Sequence, residues 1–196
     1  MPLMLKSFFR DAINPLIPQV AALRISIFRD FPYLYDGNEA YERSYLGRYV
    51  SAQDGLLLLV FDGDKIVGAS TGLPLSQEMS NFKAPFAKQG YDIDQMYYCA
   101  ESILLKAYRG QGVGIQFFET REAHARSLGL NYSCFCAVDR PLDHPLRPRD
   151  YQALDAFWQK RGYQKQEKLV CELPWKDIDQ AQESIKTMTF WLKALC

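Results

Sequence analysis

The sequence has no excess of charge of either sign and almost no histidine. Its 196 residues carry 23 Lys and Arg against 23 Asp and Glu, so the formal net charge is zero, and only two residues are His. A neutral chain lacks the field that attracts nucleic acid or an anionic membrane surface. No group of His, Cys, Asp and Glu shows metal-ligand spacing. We therefore expect no nucleic acid, no membrane and no metal ion as partners.

Long apolar runs and paired cysteines are also missing. No window approaches the length of a membrane-spanning helix, and the apolar run within residues 1–10 is too short for a signal peptide. The five cysteines are odd in number and show no framework spacing, which indicates free thiols in a reducing compartment. These features predict a cytoplasmic protein.

The composition is that of a folded chain. Hydrophobic residues make up 48% and aromatic residues 14% of the sequence. A chain of this length is long enough to bury a core and falls within the size range of one domain. Because no internal repeat or low-complexity run interrupts it, we expect residues 1–196 to form a single domain.

Periodicity and turn signals predict alternating helices and strands. Asn38 is a good N-cap, Leu16, Val20 and Leu23 recur at helical spacing with Arg24 outside their stripe, and a glycine at position 72 suggests a bulge or a close backbone approach. The predicted helices are 15–30, 38–51, 81–88, 115–128 and 151–161. The predicted strands are 56–61, 65–73, 96–105, 132–138, 163–173 and 185–192, with residues 5–9 as a weak candidate for an earlier strand.

The most informative stretch is KAYRGQGVG at residues 106–114, between a strand and a helix. Glycines alternate at 110, 112 and 114, so successive amides can point into one concavity. The new helix adds unpaired N–H groups and the positive end of its dipole, and Arg109 adds a permanent charge with a planar fork. The stretch therefore predicts a phosphate-binding turn. The alternative is a tight turn whose glycines only allow close packing.

The spacing of the glycines separates the known kinds of phosphate loop. A P-loop ends in Gly-Lys-Ser/Thr, which is missing here, and a dinucleotide fingerprint needs G-x-G-x-x-G and an acid about twenty residues later, where this chain is apolar. What remains is Arg109-x-x-Gly112-x-Gly114. This pattern, after a strand and before a helix, resembles the acyl-CoA pyrophosphate loop of the GNAT acetyltransferase superfamily.

A second segment carries the same resemblance. FWQKRGY at residues 157–163 is similar to the Phe-Tyr-x-x-x-Gly-Phe segment of the family, with Trp158 in place of the tyrosine. The order of elements is similar to the GNAT fold along nearly the whole chain. The resemblance implies an α/β fold with a mixed, mostly antiparallel central sheet flanked by helices. It also implies that strands 96–105 and 132–138 splay apart at the acyl-CoA site.

The resemblance further implies how acetyl-CoA, the expected co-substrate, would bind. The pantetheine arm would pair with backbone groups near Ile103, Leu104 and Leu105, and the pyrophosphate would sit on amides from Gln111 to Ile115. The full predicted set for coenzyme A is Ile103, Leu104, Leu105, Arg109, Gly110, Gln111, Gly112, Val113, Gly114, Ile115 and Trp158.

Acetyl transfer to an amine needs a group that removes a proton and a group that protonates the thiolate. Glu101 is the only carboxylate in the strand at 96–105, beside the expected gap, and we predict that it is the general base; an ordinary salt bridge is the alternative. Trp158 cannot give up a proton as a phenol can. Three tyrosines therefore remain open as the acid: Tyr97, Tyr98 and Tyr151.

The acceptor side is less defined by the sequence. Tyr33 and Tyr35 lie in an aromatic connector that either forms a wall of the acceptor pocket or caps the core. We predict direct transfer of an acetyl group to a primary amine of a small molecule, because neither Cys134 nor Cys136 has a motif to activate it. The alternatives are a non-catalytic acyl-CoA sensor on the same fold and, more distantly, a nucleotide-phosphate enzyme. The oligomeric state stays open, with a homodimer as one alternative.

Overall fold

The fold is built on one seven-stranded sheet. A computed structural model describes residues 2–195 of the chain. The strands are β1 (Met4–Phe9), β2 (Leu56–Asp62), β3 (Lys65–Pro74), β4 (Met96–Leu104), β5 (Tyr132–Val138), β6 (Gln164–Trp175) and β7 (Ser184–Ala194). The helices are α1 (Ile17–Phe28), α2 (Glu39–Ser51), α3 (Ser80–Lys88), α4 (Val113–Ser127) and α5 (Asp155–Gln159).

The strand order is β1-β2-β3-β4-β5-β7-β6. Every neighbouring pair is antiparallel except β4 and β5, which run parallel. The predicted mixed, mostly antiparallel sheet is therefore confirmed, as is the weak candidate for a first strand. None of the described helices is long and apolar enough to cross a membrane.

Helices cover both faces of the sheet. On one face, α1 and α2 bury Val20, Leu23 and Leu46 against apolar side chains of β2, β3 and β4. On the other face, α4 packs Val113 and Phe117 against β2 and β3. The face with α1 and α2 continues towards β7, where α3 contributes two buried phenylalanines to a second cluster.

Two predicted helices are shorter than their sequence patterns indicate. Residues 10–16 form a 3₁₀ helix that contains Pro15, and α1 starts only at Ile17, with Pro18 in its first turn. A proline lacks the N–H that a regular helix interior needs but is accepted in the first turn, so α1 begins beside Pro18. The helix predicted over 151–161 reduces to α5, and it is followed by Gly162 at a φ of 84°.

A bulge interrupts the pairing of β3 and β4. Ser70 pairs with Ser102 and Gly72 with Cys99, so Thr71 faces two residues of β4, Ala100 and Glu101. At Gly72 a Cβ atom would lie 2.5 Å from the ring of Tyr97, which explains the glycine by close approach. The bulge turns both Ala100 and Glu101 towards the face that carries α1 and α2.

Strands β4 and β5 separate soon after they meet. They pair only from Met96 to Tyr98 on β4 and from Tyr132 to Cys134 on β5. Beyond Tyr98 the strands share no registered pair, and the remainder of β4 borders a gap that opens towards residues 106–114. The predicted splay is confirmed.

Candidate active site

The glycine loop at the open end of the gap presents a row of amides. Gly110 and Gly112 have positive φ values of 78° and 81°, and Gly112 is the N-cap of α4. Within residues 2–195, no backbone or side-chain acceptor receives a hydrogen bond from the amides of residues 110–114. Five consecutive N–H groups at the start of a 15-residue helix are therefore left without a partner among the described residues. This arrangement suits a phosphate group.

Several residues of the predicted coenzyme set already have hydrogen-bond partners within the protein. The amide of Ile115 donates to the carbonyl oxygen of Gly112 at 3.0 Å, so the free amides run from Gly110 to Gly114 rather than to Ile115. The Nε atom of Arg109 donates to the carbonyl oxygen of Leu104 at 3.1 Å. Arg109 thus lies against the end of β4, beside the backbone expected to pair with a pantetheine arm.

The other predicted coenzyme residues lie on β4 and α5. Ile103 and Leu104 pair with Ala69 and Gly68 of β3, and the amide of Leu105 donates to β3 as well. Trp158 is half-buried, with its ring centroid 5.0 Å from those of both Phe135 and Trp191. Both contacts are edge-to-face, so Trp158 is held in an aromatic cluster on the face that carries α4.

On the opposite face, an earlier part of β4, from Tyr98 to Glu101, borders a cavity. It has a volume of about 300 Å³ and is lined by side chains from α1, α2, α3 and strands β4, β6 and β7. Eight of its twenty lining residues are aromatic, among them Tyr33, Tyr35 and Trp175. Because Tyr98, Ala100 and Glu101 belong to this lining, the cavity meets the gap where β4 leaves β5.

Glu101 lies in this cavity as one member of a buried ionic triad. Arg24 Nη1 is 2.7 Å from Glu101 Oε2, and Arg24 Nε donates to Glu42 Oε2. The three side chains are at most 8% exposed. Two carboxylates share one guanidinium, so the triad carries a net negative charge inside the protein. The remaining oxygens, Glu42 Oε1 and Glu101 Oε1, are buried and have no hydrogen-bond partner among the described residues.

Aromatic rings hold the guanidinium of Arg24 in place. Its Cζ atom lies 4.3 Å from the ring centroid of Tyr45 and 4.9 Å from that of Phe28. Burial opposes the charge of Arg24, but the neighbouring Glu101, Tyr45 and Glu42 outweigh it and raise the pKa above its usual value. The Tyr45 hydroxyl donates to Glu101 Oε2 at 3.3 Å.

Of the three tyrosines left open as proton donors, only Tyr98 lines the cavity. Its hydroxyl is 3.2 Å from Cys136 Sγ, and burial is the main cause that raises its pKa, so the phenol keeps its proton at neutral pH. Tyr97 packs on the face of α4 against the ring of His124. Tyr151 packs against Phe31, outside the lining of the cavity.

Both predicted acceptor residues, Tyr33 and Tyr35, line the cavity. Burial is the main cause that raises the pKa of each phenol. The connector that carries them is tied down by Arg140, whose guanidinium donates to the carbonyl oxygens of Pro32 and Tyr33 and makes two bonds to the buried Asp177, at 2.7 and 2.9 Å. The aromatic connector is therefore a fixed wall.

The residue pattern did not identify Arg24 and Glu42 as part of the site. Arg24 was placed outside the apolar stripe of its helix, yet it is only 7% exposed. On α2, the neighbouring Tyr41 is 53% exposed, whereas Glu42 is buried. A signal was present, since Glu42, Leu46 and Tyr49 recur at i, i+4 and i+7, which puts a carboxylate on the apolar face.

The thiols beside the gap are poor nucleophiles. Cys134 and Cys136 are buried on β5, and burial is the main cause that raises the pKa of both. Cys136 Sγ contacts the Tyr98 hydroxyl at 3.2 Å. Across residues 2–195, no group of three or more His, Cys, Asp or Glu side chains is placed to hold a metal ion.

Comparison with known proteins identifies relatives through structure alone. No protein-family model matches the sequence, and no curated protein matches it significantly. An N-acetyltransferase from Staphylococcus aureus Mu50 is similar in structure, with a TM-score of 0.64 and 10% identity over 100% of both chains. An acetyltransferase of the GNAT family from the same organism has a TM-score of 0.59 and 10% identity, again over 100% of both chains.

A third similar structure contains coenzyme A. The PaiA N-acetyltransferase from Thermoplasma acidophilum, in complex with coenzyme A, has a TM-score of 0.57 and 11% identity over 99% of each chain. The loop, the splayed strands and these similarities agree: the chain has the GNAT acetyltransferase fold.

Proposed function

We propose that the chain is an acyl-CoA-dependent N-acetyltransferase that moves an acetyl group from acetyl-CoA directly to a primary amine of a small molecule. The observation that carries this proposal is the row of free amides at residues 110–114, placed at the open end of the gap between β4 and β5. The similar N-acetyltransferase structure in complex with coenzyme A supports it, because the fold is shared over nearly the full length.

The residues present fit coenzyme A. The amides of Gly110 to Gly114 and the dipole of α4 would hold the pyrophosphate, and Arg109 would add its charge at the lip. Strand β5 leaves the edge of β4 beyond Tyr98 unpaired, so a pantetheine arm would run along that edge, near Ile103 to Leu105. Trp158 would contact the coenzyme from the aromatic cluster on the face that carries α4.

Glu101 would accept the proton of the incoming amine. Its Oε1 atom has no partner within residues 2–195, so it can receive a proton directly or through water. The triad changes from a net charge of −1 to zero when this happens, because Arg24 remains paired with Glu42. Proton uptake thus removes a buried charge instead of creating one, which favours Glu101 as a base.

The reaction then balances without an acyl-enzyme. An ammonium group gives one proton to Glu101, and the neutral nitrogen attacks the thioester carbonyl carbon. The new C–N bond forms, the C–S bond breaks, and the second nitrogen proton ends on the departing thiolate. Tyr98 is the proposed relay for this second proton, because its phenol lines the cavity and stays protonated.

The test is a coenzyme A titration followed by turnover with a panel of primary amines. Wild-type protein should bind coenzyme A and release thiol from acetyl-CoA. Glu101→Gln should lower kcat by ~10²–10⁴ and remove the acid limb of the pH–rate profile, with coenzyme A affinity nearly unchanged. Cys134→Ala and Cys136→Ala should stay active. No binding of coenzyme A at millimolar concentration would overturn the proposal, and full turnover in Glu101→Gln would remove Glu101 as the base.

A non-catalytic acyl-CoA sensor is the second candidate. It is favoured by Trp158, whose indole replaces the phenol of the family segment and is held by edge-to-face contacts with Phe135 and Trp191. Binding of acetyl-CoA without thiol release across a broad panel of amines would support the sensor over the enzyme.

A further inference from the structure

The cavity on the acceptor side has an acidic lining. Four carboxylates and only two cationic side chains border it, so its lining carries a net charge of −2. Two of those carboxylates, Asp36 and Glu183, are accessible at the protein surface, and Asp36 forms salt bridges with Lys176 and Arg29. The negative charge that lies inside the protein is therefore that of Glu42 and Glu101.

These two inner carboxylates are incompletely satisfied. Glu42 is 1% exposed and Glu101 is 6% exposed, yet each has one oxygen without a hydrogen-bond partner within residues 2–195. A buried carboxylate oxygen without a donor is costly, and a buried net charge adds to the cost. A ligand that brings both a positive charge and several N–H donors would remove both costs at once. A primary ammonium, with three donors, has this chemistry.

The rest of the cavity favours an apolar body on that ammonium. Eight aromatic side chains border the space, and Tyr33 packs at ring-centroid distances of 4.5 Å from Phe28 and 6.2 Å from Trp175. Aromatic faces attract cations and flat apolar groups alike. A volume of about 300 Å³ lies at the lower end of the range for small-molecule sites, which favours a compact ligand.

We propose that Glu42 and Glu101 form an anchor for the ammonium group of the acceptor, and that the acceptor is a compact primary amine with an aromatic or apolar body. The proposal rests on the proposed function, whose acceptor class it narrows. Glu101 takes part in the chemistry, whereas Glu42 holds the cation and selects for its charge. Anionic acceptors, such as phosphorylated amines and amino acids with a free carboxylate, are disfavoured by the same two groups.

Binding in the absence of acetyl-CoA tests the anchor separately from turnover. Isothermal titration would compare 2-phenylethylamine, its neutral analogue 2-phenylethanol, and 1,4-diaminobutane, which has the charge but no ring. We expect 2-phenylethylamine to bind about tenfold to a hundredfold more tightly than the alcohol, the scale of a charged hydrogen bond. We also expect it to bind more tightly than the diamine.

Glu42→Gln keeps the shape of the side chain and removes its charge, so it should abolish the preference for the amine over the alcohol. The matched control is Glu39→Gln on the same helix, where an exposed carboxylate pairs only with Arg43, and it should keep the preference. If Glu42→Gln does not fold, the wild-type comparison of amine and alcohol decides by itself.

The outcomes separate this inference from the proposed function. If the alcohol binds wild-type protein as tightly as the amine, or if folded Glu42→Gln keeps the preference, the anchor is overturned. If coenzyme A binds but none of the cationic probes does, the anchor falls and the proposed function stands. If the amine binds and coenzyme A does not, the proposed function falls instead. Tighter binding of 1,4-diaminobutane than of 2-phenylethylamine would refute the apolar body.

Discussion

Replacing Arg24 by methionine tests the buried triad directly. The guanidinium contacts both Glu42 and Glu101 and lies between the rings of Phe28 and Tyr45. Methionine retains most of the apolar stem and its packing between the rings, so the main loss is the charge. Both carboxylates would then be buried without a cation.

The size of the effect follows from burial. Removing one partner from a buried ion pair costs about 3–5 kcal/mol, and here a single substitution removes the partner of two carboxylates. Arg24→Met should therefore lower the free energy of unfolding at neutral pH by at least that order.

Urea unfolding at neutral pH would measure this loss of stability. Arg43→Met is the matched control, because Arg43 lies on α2 in an exposed pair with Glu39 at 2.6 Å, and exposed pairs contribute little. An unchanged urea midpoint in Arg24→Met would refute the triad as a stabilising element.

Two further predictions concern the proton donor and the aromatic wall. Tyr98→Phe should lower kcat by ~10²-fold or more in a thiol-release assay. Tyr97→Phe should keep kcat, because Tyr97 lies on the other face of the sheet. Equal losses of kcat in the two variants would contradict Tyr98 as the proton relay. Burial opposes the charge of Asp177, but hydrogen bonds from Arg140 outweigh this effect and lower the pKa of the carboxyl group. The ion pair therefore stabilises the fold above the usual carboxyl pKa of about 3.9, and this stabilisation is lost as the pH falls below that value. Asp177→Asn should therefore have a lower Tm than wild type near neutral pH, and the difference in Tm should narrow below about pH 4. The control, Asp179→Asn at an exposed position, should have the Tm of wild type at every pH. A Tm difference for Asp177→Asn that persists at low pH would contradict the role given to its charge.

Features encoded by neighbouring residues could be predicted from the sequence. The Asn38 side chain accepts a hydrogen bond from the amide of Tyr41, as expected for an N-cap, and the Asp62-Gly63 turn joins β2 and β3 with Gly63 at a φ of 59°. The glycine loop was equally local, because its residues, its strand and its helix are contiguous. Such signals need no knowledge of which distant elements pack together.

Features that depend on distant partners could not be predicted in the same way. The placement of β7 between β5 and β6 follows from sheet pairing, which strand periodicity does not specify. The site itself is of this kind. Arg24 is buried because Glu42 and Glu101, from two other elements, supply its counter-charges. Without those partners an arginine beside an apolar stripe is indistinguishable from a solvent-exposed one.

The bulge opposite Thr71 has a consequence for comparing this chain with its structural relatives. Before it, Tyr97 and Cys99 point towards α4; after it, Glu101 and Ile103 point towards α1 and α2, although all four positions are odd-numbered. The strand changes phase by one residue. A deletion or insertion of one residue in this stretch would move the Glu101 carboxylate to the opposite face of the sheet, with almost no change in amino-acid composition. At about 10% identity, an acid equivalent to Glu101 is therefore identified by the face of the sheet that it occupies, since a match of residue types along the strand could pair positions from opposite faces.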